Sequence, residues 1–294
     1  MIDLASLSRS DLSAALLARC TFPPSGTAVT CSVSGGADSL TLLILARAAG
    51  CTVTAVHVDH GLRFGSAGEA AVVASAAARF GADFRSETVV VAPGPNLEAR
   101  ARSARFAVLP PGVLTGHTAD DQAETVLINL LRGAGVDGLA GMGANGHPIL
   151  PLRRHETVAL CQAHELEVVQ DPSNDDARFL RNRIRHDVLP LLADVAQRDV
   201  AAVIARQASL LRDDADLLEL LAGDIDTTDA RALMAAPVAL ARRSVRRWLA
   251  NPMPPSADEV ERVLAVARGE VIACELEGGR RVARTAWVLR VEIP

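Results

Sequence analysis

The chain has 294 residues, a formal net charge of −5 and 49% hydrophobic residues. That length suggests about two domains of roughly 100–200 residues each, and the apolar content excludes a disordered chain. No apolar run approaches the roughly 20 residues that cross a bilayer, and the amphipathic start MIDLASLSRSDLSAALLARC lacks the apolar block of a signal peptide, so the reading is a soluble cytoplasmic protein.

In chain order, segment 28–34 (AVTCSVS) reads as a buried strand, and 38–49 as a helix closed by Gly50. Segment 52–58 (TVTAVHV) is a second strand. Ser66 and Glu69 form a capping box for the helix that ends at Gly81. Segment 84–91 is a third strand, and Asn96 caps a helix through LEARARSARFAVL. Segment 112–117 (GVLTGH) is a fourth strand, followed by a helix over 119–132. Strands alternating with helices in this way predict parallel βαβ units: an α/β fold with a doubly wound, mostly parallel sheet, buried on both faces. Ligands of such sheets bind beyond the carboxyl ends of the strands. The Gly- and Pro-rich stretch 133–155 predicts an active-site loop with a short strand at 148–152, and 158–169 a further helix and strand. Residues 180–192 lead into a second, mainly helical domain: a long helix over 194–221, helices over 229–250 and 256–268, and a hairpin turning at Gly278-Gly279. The expected division is 1–192 and 193–294.

The strongest chemical signal is Ser34-Gly35-Gly36-Ala37-Asp38-Ser39, between a strand and a helix. Glycine lets a phosphate approach the backbone, and the helix start offers free N–H groups and partial positive charge. Ser34 and Ser39 add hydroxyl donors. Asp38 suits an anion pocket if a magnesium ion bridges it to pyrophosphate oxygens; otherwise it is a helix cap. The loop lacks the GxxxxGK[ST] pattern of a Walker A site. It resembles the loop of the PP-loop ATP pyrophosphatases, which cleave ATP between the α and β phosphates.

Two further polar clusters follow buried strands. The first is His57-Val58-Asp59-His60-Gly61-Leu62-Arg63, where His57 and Arg63 are candidate nucleotide contacts. The second is Gly116-His117-Thr118-Ala119-Asp120-Asp121-Gln122-Ala123-Glu124-Thr125, with Thr118 as the cap. On that helix Asp121 and Glu124 share a face, and His117 enters from the same side. Acids beside a phosphate site repel it unless a metal or cationic substrate intervenes; the alternative is that they complement the helix dipole.

Cysteines stand at 20, 31, 51, 161 and 274 with no CxxC pair, which gives no local signature of zinc, cluster or dithiol chemistry. All 30 basic residues are arginine, so a lysine nucleophile is excluded. Arginines cluster at 178–185, 242–247 and 280–284, which favours an RNA surface despite the negative net charge.

These motifs, with Asn96-Leu97-Glu98-Ala99-Arg100-Ala101-Arg102-Ser103-Ala104-Arg105, Asp171-Pro172-Ser173-Asn174 and Arg181-Asn182-Arg183-Ile184-Arg185, resemble the tRNA(Ile)-lysidine synthase family over about residues 26–192. Phe106 stands where that family often has tyrosine, and the chain would be a short form. The resemblance implies that ATP, with Mg²⁺, adenylates the C2 oxygen of the wobble cytidine in an isoleucine tRNA with a CAU anticodon. Free L-lysine then displaces AMP. Asp38 would hold the metal, and Arg102 and Arg105 would grip phosphate. Asp121 and Glu124 would receive the amine, and one of them or His117 would take its proton. Asn174, Arg181, Asn182 and Arg185 would contact RNA or nucleotide, with Arg185 at the flipped cytidine or the adenylate. Arg242, Arg243, Arg246 and Arg247 would form a basic stripe for the tRNA. A homodimer stays open. The competing readings are another PP-loop tRNA-modifying or amidating enzyme, and an ATP-binding sensor without catalysis.

Overall fold

The structure, a computed structural model, describes residues 8–59, 66–90, 97–170, 176–251 and 254–293. The chain divides into two compact units, Met1–Leu210 and Leu211–Pro294.

The first unit opens with α1 (Arg9–Leu17), then β1 (Ala28–Ser32), α2 (Ala37–Ala48), β2 (Thr52–Asp59), α3 (Ser66–Arg79), β3 (Asp83–Thr88), α4 (Leu97–Val108), β4 (Leu114–Thr115) and α5 (Ala119–Leu131). The strands lie in the order β3-β2-β1-β4, all parallel. In β2, Val53 and Ala55 join the main core with residues of α1, α2 and α3, whereas Val56 and Val58 join a second cluster with Leu109, Val113 and Ala104 of α4. Successive side chains point to opposite faces, so helices cover both, as the sequence predicts. Helix α2 is buried from Ser39 through Ala46, which its apolar sequence SLTLLILA allows all round. Then come α6 (Val136–Leu139) and α7 (Arg154–Ala163), whose Leu160 and Cys161 complete the main core. Arg19, just past α1, pairs with Glu156 of α7.

The structure corrects several expectations. Residues 148–152 form turns, not a strand; Ile149 and Leu152 are apolar because they plug the core. Residues 166–170 run without a sheet ladder, because the Val169 amide is spent on the Gly35 carbonyl, 3.0 Å away. The first unit then continues through α8 (Leu180–Arg183), a π-helical turn at Ile184–Val188, α9 (Leu189–Ala196) and the start of α10 (Val200–Gly223). The expected helix from residue 194 is thus broken at Gln197, which is left-handed with φ 49°. The unit boundary also lies beyond 192/193. Ala201, Ile204 and Ala208 of α10 pack on Ala123 and Val126 of α5, which ties the first half of α10 to the first unit. The capping serine Ser66 and Asn96 lie outside the described side chains.

The second unit holds α11 (Ala230–Ala235), α12 (Val238–Trp248) and α13 (Ala257–Arg268). They pack on an antiparallel sheet of β5 (Ala273–Glu275), β6 (Arg281–Thr285) and β7 (Val288–Glu292). The Gly278-Gly279 turn joins β5 to β6 as expected, and both glycines have φ 76°. The tail is a three-stranded sheet rather than a single hairpin. Its second turn passes through Ala286 at φ 54°, a position without a glycine signal. Among the described residues no helix is long and apolar enough to cross a membrane.

Candidate active site

The loop between β1 and α2 is held by its own serines. The Ser34 amide donates to Ser39 Oγ at 3.1 Å, and Ser39 Oγ donates to the Gly36 carbonyl at 2.9 Å. Gly35 has φ 88°, and a Cβ there would lie 2.6 Å from Val169 Cγ2, so only glycine fits. Gly36 caps α2 without a side-chain bond, which leaves the amides of the first turn, from Ala37 onward, open to an anion. His57 lies beneath the loop, 2% exposed, with Nδ1 donating to the Val33 carbonyl at 3.1 Å. Its Nε2 is buried and, among the described residues, has no hydrogen-bond partner.

Gly116 brings the end of β4 against α2. A Cβ on it would stand 2.7 Å from the Asp38 carbonyl oxygen. That close approach delivers α5 to the loop. Asp121 closes the capping box of α5 by accepting from the amide and hydroxyl of Thr118 through Oδ2, both at 2.9 Å. His117 and His147 converge on Thr115 Oγ1, at 2.8 and 2.6 Å from their Nδ1 atoms. Their rings meet edge to face at 4.7 Å.

Arg154 joins the loop to α5. Its guanidinium lies 3.8 Å from Asp38, 3.1 Å from Asp121 Oδ1 and 3.3 Å from Glu124 Oε1. Glu124 is fully buried. Arg185 grips it through two bonds of 2.7 and 3.0 Å, and Arg181 approaches at 3.5 Å while donating to Thr125 Oγ1 at 2.9 Å. Arg153 is bidentate to Asp120 at 2.9 and 3.0 Å, and the Arg154 amide donates to the same carboxylate at 2.8 Å. Thr157 of α7 donates to Asp38.

Burial and the nearby Asp121 charge push the Asp38 carboxyl up to about 6, against the opposing pull of Thr157 and Arg154. Burial also works against the charge of Asp121, but Arg154 and the Thr118 amide outweigh it and hold its pKa below the ordinary value. Asp120 is likewise held low, the bonds from Arg153 and the Arg154 amide overcoming its burial. Among the described residues no group of three or more His, Cys, Asp or Glu is arranged to hold a metal. A cation beside Asp38 would offset both the burial and the Asp121 repulsion that raise its carboxyl.

The structure therefore brings together Asp38, Asp121, Glu124, Arg181 and Arg185, with His117 at the base of α5. Asn182 is buried and donates to the Asp176 carbonyl at 3.0 Å, a brace for the chain that carries the arginines. Arg105 lies over the Phe106 ring at 5.4 Å. Arg63, Asn174 and the side chain of Arg102 lie outside the described residues. In the second unit, the expected basic stripe is largely neutralised. Arg242 pairs with Glu261 at 2.5 Å, and Arg243 and Arg247 share Glu219 at 3.2 and 3.4 Å. Arg246 is exposed, with no ion pair among the described residues. Sequence reasoning missed Arg153, Arg154, His147 and Thr157. One signal was available: two arginines open α7, at the helix end whose dipole disfavours cations, a placement that asks for nearby acids.

Residues 12–192 match the PP-loop domain family. A solved structure of a U34-tRNA thiolase, NcsA from Methanococcus maripaludis with its 4Fe-4S cluster, superposes with a TM-score of 0.56 at 17% identity. It covers 69% of this chain and 79% of its own, a likeness of fold. The tRNA(Ile)-lysidine synthase of Nocardia farcinica is 44% identical over 77% of each chain. That of Mycobacterium bovis is 39% identical, over 85% of this chain and 86% of its own. That of Streptomyces coelicolor is 36% identical, over 89% and 86%. With the ATP loop, the acidic helix and the paired arginines gathered at one place, and 36–44% identity to these relatives over 77–89% of its length, the chain belongs to the tRNA(Ile)-lysidine synthase family.

Proposed function

We propose that this chain forms lysidine in tRNA(Ile) at the expense of ATP, using free L-lysine at the wobble cytidine of the CAU anticodon. The observation that carries the reading is the shared guanidinium of Arg154, which touches Asp38 of the ATP loop and Asp121 and Glu124 of α5. A loop for splitting ATP and an acidic pocket for a cation in one site call for a nucleotide and an amine together.

The β and γ phosphates lie against the open amides at the start of α2. Asp38 would hold a magnesium ion, which would supply charge neutralisation to the departing pyrophosphate. The cytidine C2 oxygen attacks the α phosphorus, and the P–O bond to pyrophosphate breaks. That converts a poor leaving oxygen into AMP. Arg185 and Arg181 stand at the acidic pocket, where Arg185 is fixed by Glu124 and can meet the AMP phosphate as it develops charge. The lysine amine attacks C2, the C2–O bond breaks, and AMP leaves with that oxygen. An alkyl ammonium has a pKa of about 10.4, so it must lose a proton before attack. Asp121 or Glu124 receives the ammonium, and one of them or His117 takes the proton.

A sulfur-transferring chemistry fits the chain less well. Burial pushes the Cys31 thiol up to about 12 and the Cys161 thiol up to about 11, so neither is a ready thiolate. An omission assay tests the function. With ATP, Mg²⁺, lysine and CAU-anticodon tRNA(Ile) present, AMP and pyrophosphate appear together, and leaving out the tRNA abolishes both. AMP release that needs neither lysine nor tRNA contradicts the proposal.

A further inference from the structure

The acidic pocket is already electrically satisfied. Asp38, Asp121 and Glu124 bring three negative charges, and Arg154, Arg181 and Arg185 stand within 3.8 Å of them with three positive ones. An ammonium gains little from a pocket whose charge is cancelled, so a guanidinium must give way before lysine binds. The geometry ranks the three. Arg185 holds Glu124 by two short bonds, and Arg181 is also tied to Thr125. Arg154 spreads its contacts over three carboxylates at 3.1 to 3.8 Å, without gripping both oxygens of any one of them. It also sits at the first residue of α7, where the dipole disfavours its charge, and it reaches Asp38 in the loop that takes the triphosphate. Arg154 is therefore the guanidinium that touches the phosphate loop, and it is not locked to any one carboxylate.

Asp121 shows what its departure would open. Its Oδ2 is occupied by the amide and hydroxyl of Thr118. Its Oδ1 faces, among the described residues, Arg154 at 3.1 Å and Arg185 at 3.7 Å. With Arg154 withdrawn, Oδ1 becomes a charged acceptor for an amine.

We propose that Arg154 couples the two small substrates: the triphosphate draws its guanidinium away from Asp121 Oδ1, and the lysine amine takes that oxygen. The inference rests on lysine being the amine of this pocket. A triphosphate brings several negative charges and bidentate acceptors to a guanidinium, whereas Arg154 shares Asp121 and Glu124 with Arg185 and Arg181. Arg154 is thus a positioning residue that keeps the nucleophile out until the adenylating phosphate is in place. Coupling of this kind is reciprocal, so lysine tightens the nucleotide by the same factor.

Equilibrium dialysis of radiolabelled lysine against the full chain tests this, alone and with the α,β-methylene analogue of ATP plus Mg²⁺. The wild type gains about tenfold in lysine affinity when the analogue is present. Arg154→Gln binds lysine equally well in both conditions. Arg154→Lys, which keeps the charge and loses the fork, gives an intermediate ratio. Melting curves establish that the variants are folded; if neither is, the wild-type ratio decides alone. Equal wild-type affinity with and without the analogue overturns the proposal, and so does a full ratio in folded Arg154→Gln. Lysine-dependent AMP release without any ratio removes the coupling and leaves the function standing. Absence of lysine-dependent release removes both.

Discussion

Asp38 sits where its charge is costly without ligand and useful with one. Its carboxyl is raised to about 6 by burial and by Asp121. A carboxyl whose folded pKa is raised contributes its stability below the unfolded value of about 4 and loses it as pH rises through the folded value. Asp38→Asn should therefore raise the Tm of the ligand-free protein at pH 7, by an amount equivalent to about 1–3 kcal/mol. The gain should vanish near pH 4, and pyrophosphate release should be lost. A melt that shows no gain at pH 7 contradicts the account of this site. Glu124 makes the opposite case. It is fully buried and held by Arg185, Arg154 and Arg181, so Glu124→Ala leaves guanidinium groups unpaired. The expected cost is about 3–5 kcal/mol in chemical denaturation, with turnover abolished. At this scale, residues within motifs were legible in the sequence: Asp121 and Glu124 share a face because helical spacing dictates it. Arg154 and His147 were not, because their partners lie about 30 residues away, and only the close approach at Gly116 and the turns after it bring them together.

Three helix starts and one strand end make the site. The N-terminus of α2 offers amides, that of α5 carries the acids, and that of α7 carries Arg153 and Arg154. Gly116 sets the distance between α2 and α5. A methyl group there would meet the Asp38 carbonyl carbon at 2.8 Å and Ser39 Cα at 2.9 Å, both backbone atoms that cannot swing aside. Gly116→Ala should therefore lower both stability and pyrophosphate release, whereas Gly112→Ala, with no atom within 4 Å, should disturb only the local turn. Asp120 and Asp121 both have lowered carboxyls, so their contribution is present above about pH 4 and is lost as pH falls below it. The junction of α5 and α7 should thus be the first part to open in acid, seen as early loss of amide-exchange protection there. The βαβ order was legible because apolar strands and capped helices alternate. The strands expected at 148–152 and within 158–169 were not there, since a short apolar run reads the same whether it pairs in a sheet or plugs a core.

For the whole molecule, the sequence reading divides the chain at 192/193, where the family match also ends, while the contacts divide it at Leu210/Leu211. The long apolar pattern after residue 194 hides the break at Gln197, and the first half of α10 packs on α5. The arginine clusters of the second unit were legible as sequence, though not their neutralisation by Glu219 and Glu261. If this unit contributes to tRNA binding, Arg246→Gln should weaken it and lower the salt slope by about 1, while Arg243→Gln should change the slope little. Equal slopes for both variants and the wild type would remove α12 from the interface. The central claim is that one site joins ATP, a cytidine of tRNA(Ile) and lysine. The most direct measurement is mass spectrometry of nucleosides from CAU-anticodon tRNA(Ile) after incubation with the protein, ATP, Mg²⁺ and isotope-labelled lysine. The account predicts labelled lysine attached to the wobble cytidine and to no other nucleoside, with none when Asp38 is replaced by Asn. An unmodified wobble cytidine, or label on another nucleoside, would contradict it.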